Sequence, residues 1–352
     1  MSRATTAAIL EPAVERTLGE LRLTARRQRR RHAGTLIAMT ALLSVLLVAT
    51  VTRGSSVSLP FGDALRAAVG QGEGLARFIV WDDLLPRAGT AILAGALLGL
   101  SGVVYQRLVG NVLATPDIIG VSAGAAAGGV IVLVGLGRSG AATQIGALTG
   151  ASIAVVAIMV LASGRAGAIH RLVLVGIGIS ACFASITNYT LAGADEVGTQ
   201  RAMRWLVGSL HGTSWADVRL LAVTLVVAAA LLLLVGADLH ALRLGDDIAE
   251  GLGTRVARTR FLVLLAGAVM AALATSVVGP VAFVALVAGP IAARLPGGGI
   301  VAAALVGAAV LLGSDLLAQN GAAISPVPTG AITAMVGAPV LIILLLRRRS
   351  SV

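Results

Sequence analysis

The chain contains no lysine and carries little charge of either sign. All 27 basic residues are arginine, 16 residues are acidic, and charged side chains make up 12% of the 352 residues. Soluble domains carry about 25% charged residues. With 57% hydrophobic residues and a mean hydropathy of +0.95, the chain has far more apolar surface than a soluble core of this length can bury. The composition therefore predicts an integral membrane protein, and it excludes a soluble enzyme and a nucleic-acid-binding protein.

The absence of lysine and the scarcity of cysteine exclude several kinds of site. A Walker A loop holds nucleotide phosphates with a lysine, so this chain cannot hydrolyse ATP through a standard P-loop. Cys182 is the single cysteine, which excludes an intramolecular disulfide and a cysteine metal site. The four histidines are scattered without metal-ligand spacing. We therefore expect no catalytic residue, no metal and no directly bound cofactor.

Stretches between consecutive charged residues are repeatedly long enough to cross a bilayer, which takes about 20 apolar residues. Six single crossings are predicted, at residues 33–52, 88–106, 118–137, 139–164, 172–194 and 220–237. Two longer runs contain helix breakers: Gly279-Pro280 should split the run 261–293 into two helices, and Pro326 and Pro328 should start the last helix near Thr329. Residues 300–319 supply one more crossing. The prediction is therefore an all-α bundle of about ten transmembrane helices.

The arginines predict the orientation of this bundle through the positive-inside rule. Ten helices put both termini on one side; that side holds 19 arginines and 8 acids, whereas the other holds 8 of each, so the net charge of +11 is topological. We predict a cytoplasmic arginine-rich tail at 1–32, a transmembrane domain at 33–347 with a cytoplasmic loop at 238–260, and a cytoplasmic tail at 348–352. The first tail is either a topology determinant or a helix on the anionic inner leaflet.

Small residues spaced four apart predict close helix packing. Such ridges let helix backbones approach each other in lipid, and we favour tight packing over a glycine-lined path. The ridges are Gly95 and Gly99, then Gly120, Gly124 and Gly128, then Gly146 and Gly150.

The loop 238–260 contains a predicted short amphipathic helix. Leu244, Ile248 and Leu252 share one face, acidic residues occupy the rest, and Gly251 and Gly253 end the helix. A protein partner is favoured over lipid, because the acidic face disfavours the anionic inner leaflet.

On the outer side, residues 196–208 predict a second short helix carrying Arg201 and Arg204, and Arg87 lies at an outer helix end. These arginines either pair with carboxylates of an approaching protein or anchor the helices at the interface. Asp315 is the one acid inside a predicted span, which disfavours an ion-coupled transporter.

Five motifs from about residue 80 onward occur in a recognisable order. Residues 85–87 read L-P-R and are followed by Gln106 and by N-V-L-A at 111–114; residues 205–210 read W-L-V-G-S-L. L-G pairs recur within 244–253, G-P begins at 279, and P-T-G at 328 precedes G-A-P at 337. In this order the motifs resemble the FecCD/cobalamin-type permease family of bacterial ABC importers.

The resemblance implies a type II ABC importer permease in the bacterial cytoplasmic membrane, with its path along the axis of a dimer with a second permease, identical or homologous. It implies a cytosolic ABC ATPase dimer, which uses the ATP, on a coupling loop that comprises Leu244, Gly245, Asp247, Ile248, Ala249, Leu252 and Gly253. It implies an extracytoplasmic siderophore-binding protein docking at Arg87, to which we add Arg201 and Arg204. Residues expected along the path or gate are Gln106, Asn111, Ile169 and His170.

Departures from the family pattern bear on the cargo. Leu84 stands where an arginine is usual, and Gly289 to Arg294 lacks the family histidine. That loss and the Trp205 segment resemble ferric enterobactin permeases more than cobalamin permeases. We expect a ferric siderophore as cargo; a cobalamin or heme permease of the same fold, or an ion-coupled secondary transporter, remains an alternative.

Overall fold

The computed structural model describes residues 3–54, 60–72, 74–117, 120–161, 168–320 and 327–349, and these residues form helices and connecting turns without a β-strand. The helices of the first half are α1 (Arg3–Arg53), α2 (Phe61–Ala68), α3 (Gly74–Phe78), α4 (Leu85–Val109), α5 (Val121–Val130), α6 (Ala141–Leu161) and α7 (Ala168–Ala192). The second half contains α8 (Glu196–Val207), α9 (Trp215–Leu234), α10 (Gly236–Ala241), α11 (Asp246–Gly251), α12 (Val256–Val278), α13 (Val284–Arg294), α14 (Ile300–Asn320) and α15 (Thr329–Arg349).

Three short turns of other helix types join these elements. π-Helical turns at Ile79–Leu84 and Ile131–Gly135 lead into α4 and extend α5, and a 3-10 turn at Leu242–Leu244 follows α10. The described part of the chain has seven helices that are long and apolar enough to cross a membrane, and three shorter apolar ones that include α5 and α13. The predicted all-α bundle of about ten spans is confirmed.

Some boundaries differ from the prediction. α1 runs without a break through residue 32, so the predicted tail and the first span form one helix. α9 begins at Trp215 rather than near residue 220, which places a second acid, Asp217, inside a span. Ser214 and Asp217 form a capping box at this helix start, and this local signal explains the earlier beginning.

The centre of the bundle is built on α4, which packs against α9, α12, α13 and α14 and has 18 of its 25 residues buried. The predicted glycine ridges pack here and between α5 and α6. A Cβ atom added to Gly95 would lie 2.5 Å from the carbonyl oxygen of Gly307, and one on Gly124 would lie 2.5 Å from that of Gly150. No side chain larger than hydrogen fits at these crossings, which confirms the expected tight packing.

Gly120 does not belong to this ridge, contrary to the prediction. It precedes α5 with a left-handed φ of 97° and lies against Gly176 and Ser180 of α7. Gly120 therefore makes a turn that other residues rarely adopt, and the helix contacts of α5 begin one turn later.

The two ends of the bundle are named by their loops. The end that holds the loop 238–260 is the inner end, and the opposite end, which holds α2 and α8, is the outer end.

Candidate functional site

Two interruptions of helical structure line one open cavity of about 530 Å³. The first is the segment between α4 and α5, which contributes Leu113, Thr115 and Asp117; the second is the segment 280–283 between α12 and α13. Leu206 of α8 closes one side. Non-helical backbone at membrane depth is tolerated where it is buried in protein or lines a water-filled cavity. The arrangement therefore indicates an opening inside the bundle.

Contacts with continuous helices show how deep the interruptions lie. Phe283 packs on Gly337, eight residues into α15, and Gly120 packs on Gly176, eight residues into α7. At about 1.5 Å per residue, each interruption lies about 12 Å from a helix end. Both segments thus reach well into the bundle from opposite ends.

The first interruption is shaped by local hydrogen bonds. α4 ends at Gly110 with a left-handed φ of 69°, and the Asn111 side chain accepts a hydrogen bond from the backbone N–H of Leu113 at 3.0 Å. Ser122, in the first turn of α5, donates to the Asp117 carboxylate. These contacts hold Asp117 at the wall of the cavity.

The second interruption begins at the predicted Gly279-Pro280 break. Gly279 has a φ of 75°, and Phe283 has a φ of 68°, the one positive value among the described non-glycine residues. A bulky residue in the left-handed region is strained, and such positions concentrate at functional sites. Phe283 lines the cavity, so the strain lies in its wall.

Hydrogen bonds tie the outer end of this interruption to α8 and α15. Ser209 N–H donates to the carbonyl of Val278 at 2.9 Å, and Gly330 N–H donates to the carbonyl of Gly208 at 3.1 Å. The residue that ends α8 is therefore clamped between α12 and the first turn of α15. A displacement of α15 would move α8 with it.

The residues expected along a path fall at different distances from the cavity. Gln106 is buried and donates to the carbonyl of Leu286, which lines the cavity, at 3.0 Å. Asn111 lies two residues before lining residue Leu113. Ile169 and His170 belong to the first turn of α7, but their side chains lie outside the described residues. The role of all four stays a prediction.

Sequence reasoning misses Asp117. The residue precedes the predicted third span, so the charge pattern assigns it to the inner loop rather than to the membrane interior. Asp117 stands three residues before Gly120, and an acid at that spacing belongs to no motif that would mark it as functional. The partly buried position of Asp117 becomes visible only in the structure, where it lines the same cavity as residues 280–283.

Arg87 is held inside the protein. Its Nε and Nη2 atoms each donate to Asp315 at 2.8 Å, and the two side chains are 13% and 0% exposed. Asp315 also accepts hydrogen bonds from Gln319 at 2.6 Å and Thr329 at 2.7 Å. One carboxylate thus joins α4, α14 and α15 at the outer end. Docking at Arg87 stays a prediction, and in this conformation its guanidinium already has a partner.

The predicted outer helix exists as α8, with Asp195 as its N-cap: the Asp195 carboxylate accepts from the Gly198 N–H at 2.9 Å. Arg201 and Arg204 are exposed on it, whereas Trp205 packs on Gly129 of α5. α8 is therefore fixed to the bundle by one face and presents arginines on another.

The inner loop contains the predicted short helix, here α11, which ends at Gly251. Leu244 lies in the 3-10 turn before it, but Leu244, Ile248 and Leu252 are all exposed, at 59%, 55% and 66%. Ala249 is buried beneath them. The loop therefore presents three large apolar side chains to solvent.

Polar contacts fix the loop to the bundle. Arg260 of α12 donates to Asp246 of α11 at 2.7 Å, and Asp238 accepts from Thr254 and Thr259 at 3.4 and 3.2 Å. Movement of the loop is thereby transmitted to α12. Within the described residues, no cluster of three or more metal-ligating side chains is found.

Known proteins resemble this chain over most of its length. The profile of the FecCD transport family matches residues 42–347. The ferric enterobactin transport system permease protein FepG of Escherichia coli K12 is 34% identical, covering 89% of this chain and 96% of its own length. The vitamin B12 import system permease protein BtuC of Vibrio cholerae is 33% identical over 78% of this chain and 84% of its own length.

A solved structure shares the fold. A metal-chelate type ABC transporter in an inward-facing conformation superposes with a TM-score of 0.79, covering 90% of this chain and 100% of that chain at 24% identity. The extent of the family match and the identity with FepG agree with the order of the sequence motifs. This chain is a member of the FecCD transport family.

Proposed function

We propose that the chain is the transmembrane permease subunit of an ABC importer that moves a ferric siderophore across the bacterial cytoplasmic membrane. The observation that supports this most directly is the cavity between two interrupted helices in a chain of the FecCD transport family. The 34% identity to a ferric enterobactin permease supports the choice of cargo.

The cargo undergoes no covalent change in this proposal. ATP binding and hydrolysis in a separate ATPase switch the path from outward-open to inward-open, and the permease supplies helices that rearrange. The clamped contact of Gly208 with Gly330 gives a route by which α8 and α15 move together. The largely apolar wall formed by residues such as Leu113, Leu206 and Leu286 lets a large chelate pass without being held tightly.

Three protein partners complete the importer. The exposed Leu244, Ile248 and Leu252 are the proposed contact for a cytosolic ATPase dimer, because a protein groove would remove them from water. A second permease, identical or homologous, completes the path. An extracytoplasmic siderophore-binding protein docks at the outer end, where Arg201 and Arg204 are exposed.

The cargo is tested by uptake in a strain that lacks this gene. Complementation should restore accumulation of iron-55 supplied as a ferric siderophore, with no effect on labelled cobalamin or heme. Restored cobalamin uptake without iron uptake would transfer the assignment to the second candidate, a cobalamin permease, which the 33% identity to BtuC favours. Uptake that persists without any ATPase and collapses with the ion gradient would indicate a secondary transporter.

The coupling surface is tested by purification from native membranes. Wild-type protein should bring down an ATPase, and Leu252→Arg should lose it, because a charge replaces an apolar contact. Val197→Arg is the matched control: it adds the same charge at an exposed apolar position of α8, on the opposite end of the bundle. Equal recovery of the ATPase with both variants would contradict docking at this loop.

A further inference from the structure

The outer end of the protein carries an exposed apolar stripe on α2 and on Val69, the residue that caps the end of this helix. Phe61, Leu65 and Val69 are spaced four residues apart and are 62%, 44% and 66% exposed. At about 100° per residue they fall within an arc of about 80°. A contiguous exposed apolar surface of this kind marks a contact with another molecule or with a membrane.

α2 has two further faces. Ala64 and Ala67 are fully buried against the outer end of α1 and the π-helical turn before α4. Asp63 and Arg66 form a polar face, so the buried, polar and apolar faces lie about 120° apart around the axis. A helix that lies flat on a membrane beside a bundle needs one face on protein, one in water and one in lipid.

Distances along the chain place α2 at the edge of the hydrocarbon layer. His32 donates to the carbonyl of Gly297 at the inner end, and Gly54 lies against Gln319 at the outer end. From His32 to Val51 the helix rises about 28 Å, close to the hydrocarbon thickness of about 30 Å. Val51 belongs to the cluster that buries α2. The apolar stripe therefore lies where acyl chains meet headgroups.

Two tryptophans mark the same level. Trp81 Nε1 donates to the carbonyl of Ala67 at 2.6 Å, and Trp215 Nε1 donates to the carbonyl of Trp81 at 2.9 Å. The two rings lie 5.8 Å apart. Tryptophan is enriched at membrane interfaces because its ring is apolar and its N–H is polar. Trp81 contacts α2 directly, and the pair supports an interfacial position for that helix.

We propose that α2 is an interfacial anchor that inserts Phe61, Leu65 and Val69 into the outer leaflet of the membrane. Lipid fits the stripe because the apolar arc is continuous and lies at the level of the acyl chains. The polar face carries Asp63 and Arg66 and is the one that faces water. Through Trp81 the anchor fixes the turn that leads into α4, and with it the level of the outer end. The proposal does not depend on the identity of the cargo.

The test measures which solvent each face of α2 contacts. Cys182→Ser removes the single cysteine, and single cysteines at Leu65, Val69, Arg66 and Asp63 are then spin-labelled in nanodiscs of phosphatidylethanolamine and phosphatidylglycerol. Asp63 and Arg66 are both exposed, so a label fits at either position. Power saturation compares collisions with oxygen, which concentrates in lipid, and with a water-soluble nickel chelate.

The expected result is an inversion between neighbouring positions. Leu65 and Val69 should collide more with oxygen than with nickel, and Arg66 and Asp63 more with nickel than with oxygen. Equal nickel accessibility at all four positions would place the stripe in water and overturn the proposal. Protection of Leu65 and Val69 that requires an added extracytoplasmic binding protein would also overturn it, because the partner would then be a protein.

Discussion

At the scale of single residues, Asp315 connects more helices through hydrogen bonds than any other acid that the structure describes. It accepts four hydrogen bonds from three helices and has no exposed surface. A buried carboxylate is costly unless it is paired and hydrogen-bonded, and here Arg87 supplies both conditions. The pair therefore contributes less net stability to the folded protein than would be lost by leaving either charge buried without the other.

Asp315→Asn should destabilise the protein strongly, since Arg87 would be left buried without a counter-charge. Removing one partner of a buried pair costs about 3–5 kcal/mol, seen as a lower midpoint of thermal unfolding in detergent. The matched control is Asp246→Asn, which breaks the pair with Arg260, whose members are 47% and 25% exposed. An exposed pair is worth about 0–1 kcal/mol.

The double variant Arg87→Met with Asp315→Leu separates charge from packing. Replacing a buried pair by apolar residues is often neutral, so part of the lost stability should return, less the cost of leaving the buried Thr329 hydroxyl without its acceptor. A single Asp315→Asn variant as stable as Asp246→Asn would show that Arg87 reaches water, and that it is available to a docking partner.

At the scale of helices, the glycine crossings determine how closely elements approach. Gly95→Ala should destabilise the protein, because its new methyl group would lie 2.5 Å from the Gly307 carbonyl oxygen and 2.8 Å from the Cα of Ala308. Overpacking of this kind costs about 1–3 kcal/mol. The measurement is again the unfolding midpoint of the isolated subunit.

Gly178→Ala in the middle of α7 is the control for helix propensity. A Cβ there meets nothing within 4 Å, and alanine is favoured over glycine in a helix by about 1 kcal/mol. This variant should be as stable as the wild type or more stable. A Gly95→Ala variant as stable as Gly178→Ala would mean that α4 and α14 separate easily, contrary to the packing described.

Sequence patterns predict the helices well, because charge spacing and Gly-Pro breaks are local signals. The split after Val278 and the short helix at Asp246–Gly251 are examples. The pairing of Arg87 with Asp315 could not be predicted, since 228 residues separate them. The cavity wall could not be predicted for the same reason, because Asp117 and Phe283 line one cavity only after the bundle has formed.

At the scale of the whole molecule, the arginine distribution predicts the orientation in the membrane. In a Cys182→Ser background, a cysteine at Gln200 of α8 should react with an impermeant maleimide from outside intact spheroplasts. A cysteine at Glu250 of α11 should react only after the membrane is opened. Both positions are exposed, so accessibility within the protein does not bias the comparison.

The reverse labelling pattern would place the apolar loop residues outside the cell and remove the proposed contact with an ATPase. Labelling of Gln200 from outside together with protection of Glu250 would place the loop 238–260 in the cytoplasm. Both termini would then be cytoplasmic as well, because the predicted topology has an even number of spans between each terminus and this loop. This experiment tests the topology independently of cargo and of any purified partner.

The glycine contacts of α4 and α5 also determine where this protein can diversify over evolutionary time. At Gly95 and Gly124 even a single methyl group is excluded, so most substitutions there are lost before selection on cargo can act. Side chains of the cavity wall, such as Leu113, border open space and can change size freely. Variation is therefore expected in the wall of the cavity, while the frame around α4 and α5 is inherited unchanged.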